Sequence, residues 1–313
     1  MIVLGDRDYR YEEDAEWPQI PDECDLGEVV DVAVDSDDNV CLFCRNPHQV
    51  VIVDSAGTLL HRWGDGLFVR PHGITIDANG VLYCVDDGGH WIGRFTRQGE
   101  LRGSIGTRGI GAGRQSGDPF HLPTKVAFDA KSGEFYIADG YGNARIHKFS
   151  AAGEHLFSWG EYGTDPGQFN LPHSVCVDPD GRVLVADREN HRIQVFDQQG
   201  GFLEQWNNLH RPCGLHVDGT HVYIGQLFTQ YDFTADYPNI GACVSIHDLT
   251  GTRLARLGDT HFGENPGQFI APHGIGVDSA GTIYVAEVSR TAYGSQLDPP
   301  RMVRTFRKLR KIS

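Results

Sequence analysis

Positive charge is scarce in this sequence: 27 Lys and Arg stand against 42 Asp and Glu, for a net charge of −15. Nucleic-acid binders need basic faces, so no nucleic-acid partner is expected. The one basic cluster (Arg301, Arg304, Arg307, Lys308, Arg310 and Lys311) reads as a solvated final strand and frayed tail. No apolar run approaches the roughly 20 residues of a membrane span, so no membrane partner is expected. No charged-then-apolar leader opens Met1–Asp14. The seven cysteines (Cys24, Cys41, Cys44, Cys84, Cys176, Cys213, Cys243) are odd in number and scattered, which is not a disulfide framework. These features predict a cytoplasmic location. Cys41-x-x-Cys44 lies inside an expected strand without a second pair, and reads as two buried thiols. A sustained helical period is also missing.

What is present is a repeat. An apolar strand ends in aspartate at Asp35, Asp77, Asp129, Asp178, Asp218 and Asp278, recurring every 40 to 60 residues. Several short strands per unit at such a period predict an all-β fold, a six-bladed β-propeller. Repeat two reads as strands Gly73–Asp77, Val81–Val85, Trp91–Phe95 and Leu101–Ile105, with Gly turns between them. Repeat four reads the same way. Residues 1–313 are expected to form one domain, with blades at roughly 27–66, 67–107, 119–163, 169–208, 209–259 and 269–308. The last repeat has a third strand at Met302–Phe306 and no clear fourth. The segment Tyr9–Glu13 is therefore expected to close the ring as the outer strand of blade six, hiding an edge.

Three histidines, His72, His173 and His273, open Pro-His segments at the same point of repeats two, four and six. Repeats one, three and five carry Val30, Thr124 and Cys213 there. Alternate blades of a six-membered ring are rotated by about 120°, so three imidazoles would converge on one axis. Three protein nitrogens with an open fourth position suit a catalytic zinc; iron is the second choice.

At the end of the second strand the aligned position holds Cys44, Asp86, Asp139, Asp187, Gln226 and Glu287, expected at the channel mouth. One residue on, Arg45 and Arg188 match each other in opposite blades, and Tyr141 overhangs the mouth one step further. Two guanidiniums at one channel suit a carboxylate or oxyanion, although Arg188 could instead pair with Asp187 or Glu189. Arg145 and Arg192 are expected to bridge blades or pair with strand-end aspartates. Asp165–Phe169 and Asn265–Phe269 read as inter-blade turns that bury their Phe.

The units resemble NHL repeats, most clearly at Asp187-Arg188-Glu189-Asn190-x-Arg192-Ile193-Gln194. More narrowly, Leu171-Pro172-His173-Ser174, Ala186–Asn190 and Asp139-Gly140-Tyr141-x-Asn143-x-Arg145-Ile146 resemble the peptidyl-α-hydroxyglycine α-amidating lyases. The resemblance implies a zinc held by His72, His173 and His273, a catalytic Tyr141 and Arg188, and a further active-site arginine at Arg45. Where that family has an aspartate after its third histidine, which helps hold a channel calcium, this chain has Gly274, so calcium is doubtful. A methionine that lines the family's substrate pocket is replaced by Ala271. The family's disulfide positions hold His121, Gly142, Leu184 and Val195.

The expected activity is a metal-dependent lyase that splits the C–N bond of a carbinolamide-like small substrate, one carrying a carboxylate or amide. Tyr141 would be the base, Arg188 the oxyanion stabiliser and Arg45 the carboxylate anchor. Two alternatives stand beside it: a metal-dependent, lactonase-like hydrolase using a carboxylate-rich calcium site, and a non-catalytic NHL protein-binding propeller. Insertions at Thr107–Phe120, Leu227–Ile240 and Ser289–Pro300 are candidates to shape specificity, the second as an aromatic lid. The sequence does not specify an oligomeric state.

Overall fold

The recurring aspartates mark one hairpin in every blade. Asp35, Asp77, Asp129, Asp178, Asp218 and Asp278 each accept backbone N–H bonds from residues two to four ahead, which closes the turn between the first and second strands. The computed structural model describes residues 2–21, 24–229, 231–234 and 237–312.

Six antiparallel sheets result. The inner strands of the six blades are Glu28–Val34, Pro71–Ile76, Lys125–Phe128, Pro172–Val177, Pro212–Val217 and Pro272–Val277. Each packs on the inner strand of the next blade, and the last packs on the first, so the sheets form a ring. Apolar side chains fill the spaces between neighbouring blades. Burial falls outward: the outer strands Leu101–Ile105 and Phe202–Trp206 are largely exposed. Tryptophan links blades. A Cβ on Gly99, Gly200 or Gly251 would stand within 3 Å of Trp63, Trp159 or Trp206 of the preceding blade, so these outer turns need glycine.

Blade six is closed as the sequence predicts, from the N-terminus. Arg10–Glu13 pairs with Leu309–Ile312 in the sheet that also holds Ile283–Glu287 and Pro272–Val277, and Val3–Leu4 adds a short fifth strand. The third strand differs from its expected place: it is Phe306–Ile312, not Met302–Phe306. Arg307, Lys308, Arg310 and Lys311 of the basic cluster therefore lie in a strand paired on both sides and not in a frayed tail, while Arg301 and Arg304 precede it. Arg307 is buried against Glu287 and Glu13, Lys308 lies over the Trp17 ring, Arg304 bonds Glu13 and Arg301 bonds Glu264.

All seven cysteines are free and buried, including Cys41 and Cys44, whose thiols burial pushes up, that of Cys41 to about 12. The twin turns bury Phe169 and Phe269 as expected. Of the described residues, no helix is long and apolar enough to cross a membrane.

Candidate metal centre

Each Pro-His segment starts its inner strand with a bulge. The ladder register runs Pro71↔Asp86 then Gly73↔Val85, Pro172↔Asp187 then Ser174↔Ala186, and Pro272↔Glu287 then Gly274↔Ala286. His72, His173 and His273 are the extra residues. Freed from pairing, each is turned out of the pleat toward the ring axis.

The three rings meet there, with centroids 4.7–4.8 Å apart. One nitrogen from each lies within 4.8 Å of the other two. The opposite ring edge is tied to the next blade. His72 Nδ1 lies 2.8 Å from the carbonyl oxygen of Thr124, His173 Nδ1 3.2 Å from that of Cys213, and His273 Nδ1 2.6 Å from that of Val30. Nδ1 must donate to a carbonyl, which leaves every Nε2 as an unprotonated acceptor facing the axis. Thus the odd blades, whose aligned residues are Val30, Thr124 and Cys213, supply the backbone that orients the histidines of the even ones. Burial pushes all three imidazoles toward the neutral form, with His273 lowered to about 3. Neutral, buried, oriented nitrogens are what a transition metal binds, so this donor set fits zinc or iron.

Tyr141 follows the second strand of blade three, and its hydroxyl lies 3.1 Å from His173 Nε2 and 3.2 Å from His72 Nε2. Two cations face its ring: Arg70 at 5.1 Å and Arg188 at 5.6 Å from the centroid. Arg188 donates from Nε to Glu189 at 2.7 Å. Burial opposes its charge, but Tyr141, Cys213 and Glu189 outweigh that and raise its pKa. Arg45 donates to Glu28 at 3.1 Å, to the Pro71 carbonyl at 3.2 Å and to Thr291 at 3.3 Å.

These side chains share a cavity of about 610 Å³ above the trio. Arg45, Arg70, Tyr141, Arg188 and His273 line it, as does Arg211, which the sequence reading did not single out. Arg211 shares Glu189 with Arg188, donating to it at 3.0 and 3.2 Å. Glu28, Asp87 and Glu189 are the carboxylates that the four arginines engage. Arg188 and Arg211 thus have one carboxylate between them, a surplus of one positive charge. The facing wall is apolar. Leu227, Phe228 and Tyr231 come from the aromatic insertion, Phe262 stacks on Phe228 at 4.5 Å, and Ala292, Tyr293 and Leu297 come from the last insertion. The latter folds into a helical turn, Ser289–Ala292, and a 3-10 turn, Gly294–Gln296, that its sequence did not announce. The Thr107–Phe120 insertion lies away from the cavity, as does Ala271, which is buried in the core.

The row of strand-end acids does not line the mouth. Asp86, Asp139, Asp187 and Glu287 are fully buried and each accepts backbone N–H bonds from the segment entering its own blade. Arg192 joins this clamp at Asp187, 2.8 Å away, as expected. Arg145 does not pair with Asp139, because Asn143 and His147 already occupy that carboxylate, at 2.8 and 3.2 Å.

A second, small cavity of about 10 Å³ lies between the trio and Asp31 and Lys125. There the Lys125 ammonium bonds the Asp31 carboxylate and, at 2.8 Å, the Ile74 carbonyl. This arrangement does not fit calcium, which takes six to eight oxygen ligands.

Residues 120–149 and 169–196 match the NHL repeat, in blades three and four. NHL repeat-containing protein 3 of Homo sapiens is 32% identical, over 89% of this chain and 81% of its own length. This chain belongs to the NHL-repeat propellers. Within them it also resembles proteins named for peptide α-amidation. Peptidyl-glycine alpha-amidating monooxygenase A of Xenopus laevis is 30% identical over 92% of the chain, and peptidyl-alpha-hydroxyglycine alpha-amidating lyase 1 of Drosophila melanogaster is 30% identical over 87%. This chain spans 33% of the length of the former and 57% of the latter. A solved streptogramin B lyase superposes with a TM-score of 0.57 over 98% of this chain and 97% of its own, at 14% identity, a likeness of fold alone.

Proposed function

We propose that this NHL propeller is a metal-dependent lyase that splits a carbinolamide, N–C(H)(OH)–R, into an amide and an aldehyde. The observation that carries the reading is the convergence of three buried Nε2 atoms, each fixed by a backbone carbonyl on its far edge. His72, His173 and His273 would hold zinc, or iron as second choice. Bound there, the metal supplies Lewis acidity to the substrate hydroxyl.

The remaining chemistry belongs to the chain. Tyr141, in contact with two of the trio, takes the hydroxyl proton as the C–N bond breaks and C=O forms, and returns a proton to the leaving nitrogen. Arg188, lying over the Tyr141 ring, stabilises the developing oxyanion. Arg45 anchors a substrate carboxylate, and the surplus charge at Arg188 and Arg211 favours an anionic substrate. The apolar wall receives the rest of the molecule.

A non-catalytic reading is favoured by one observation: a relative matched over most of its length is named for its repeats and not for an activity. The lactonase-like reading loses its support, since the carboxylates it needed clamp backbone instead. Elemental analysis of purified protein beside His173→Ala separates the two survivors. About one zinc or iron per chain, lost in the variant, supports the lyase, and turnover of hydroxyglycine-type carbinolamides then tests it. Absence of metal after purification without chelators, and after reconstitution, supports the binding propeller.

A further inference from the structure

The channel beneath the histidines holds a buried charge pair that the proposed chemistry does not use. Asp31 comes from the inner strand of blade one and Lys125 from that of blade three; the Asp31 side chain is buried and that of Lys125 mostly so. The pair also engages blade two. The Ile74 N–H donates to Asp31 at 2.8 Å, and the Ile74 carbonyl accepts from Lys125 at 2.8 Å. Three blades therefore meet on one ammonium ion at the ring axis.

Glycine makes room for this meeting. A Cβ on Gly274 would stand 2.2 Å from Asp31 Oδ1, and one on Gly73 would stand 2.3 Å from the Thr124 carbonyl. A carboxylate side chain at position 274 and the observed Asp31 side chain exclude one another. An axial carboxylate and a carbonyl are ligands for a hard cation, and here a side-chain ammonium sits between them.

We infer that Lys125 is a built-in replacement for a channel metal ion: its ammonium fills the one axial cation position with Asp31 and Ile74, so that this propeller needs no calcium. A divalent ion entering beside Lys125 would meet a like charge at short range in a buried site. Loss of Lys125 would leave Asp31 uncompensated and open the position to a cation. The inference concerns this pair alone and stands whether or not the histidines support lyase chemistry.

The test is calcium binding and thermal unfolding of the full chain freed of transition metal, wild type beside Lys125→Ala and the double variant Lys125→Ala/Asp31→Asn. For the wild type we expect no calcium retained after equilibrium dialysis and no change in Tm between calcium and EGTA. Lys125→Ala is expected to melt lower in EGTA, to bind about one calcium or terbium ion, and to regain Tm with calcium. The double variant is expected to bind none. One calcium per wild-type chain would overturn the inference. So would a Lys125→Ala protein that calcium does not restore, or one that melts like the wild type in EGTA. If Lys125→Ala fails to fold in either condition, the wild-type measurement alone decides: indifference to calcium upholds it and retention refutes it.

Discussion

The His273 ring lies with Nδ1 2.6 Å from the carbonyl oxygen of Val30, a contact between residues 243 apart that joins the last blade to the first. It orients a candidate metal ligand and spans the ring's closure at once. His273→Ala should therefore lower both metal content and Tm. Loss of one of three ligands is expected to reduce bound metal from about one per chain to near zero, measured by elemental analysis. A variant that keeps full metal would remove His273 from the ligand set.

Tyr141→Phe keeps the ring between Arg70 and Arg188 but removes the hydroxyl that reaches His72 and His173. The expected outcome is a fall of about 10²–10⁴ in kcat with metal content and Tm unchanged, the usual span for losing an acid–base group. Undiminished turnover would refute the base assignment.

Arg211 pairs with Glu189 beside Arg188 and has no part in metal ligation. Arg211→Gln should raise KM for a carboxylate-bearing substrate by roughly tenfold, the effect of about 1.4 kcal/mol, while leaving kcat within a few-fold. An ester of the same substrate should show little change. Equal effects on acid and ester would mean that Arg211 acts only through packing.

The closure strand gives a stability prediction. Tyr11 is almost fully buried between blades five and six, and Arg10–Glu13 completes the last sheet. Tyr11→Ala should destabilise by about 3 kcal/mol, as loss of a large buried aromatic does, and deletion of residues 1–14 by more. Denaturant unfolding measures both; an unchanged midpoint for the truncation would mean that the ring closes without it.

Acid should weaken the metal-free ring. Burial holds His72 and His173 well below the usual 6.5 and His273 at about 3, so the folded chain keeps them neutral where the unfolded chain protonates them. The unfolded state then binds more protons, and stability falls as pH drops from about 6.5 toward 3, by up to about 1.4 kcal/mol per histidine and pH unit. Thermal melts of the apo protein across that window should show a shallower slope for His273→Gln than for the wild type. Identical slopes would mean that other groups carry the acid sensitivity.

The sequence by itself determined the ring, the trio and the place of the N-terminal segment in blade six. Those features are periodic: a hairpin aspartate every 40 to 60 residues, Pro-His in alternate units and a missing fourth strand are written along the chain. Only the tertiary structure decided where polar groups go when several backbones compete for them. Asp86, Asp139, Asp187 and Glu287 align with a channel mouth, yet they turn inward because the N–H groups of the incoming segments would otherwise be buried without partners. Arg307 and Lys308 look like a solvated tail until Glu13, Glu287 and Trp17 arrive from distant segments to match them. Arg211 and Lys125 stand in register with Arg70 and Asp31 of other repeats, but that register does not say what they contact. Their places at the cavity and on the axis depend on Glu189, Asp31 and Ile74, partners 22 to 94 residues away that are brought near by closing the ring.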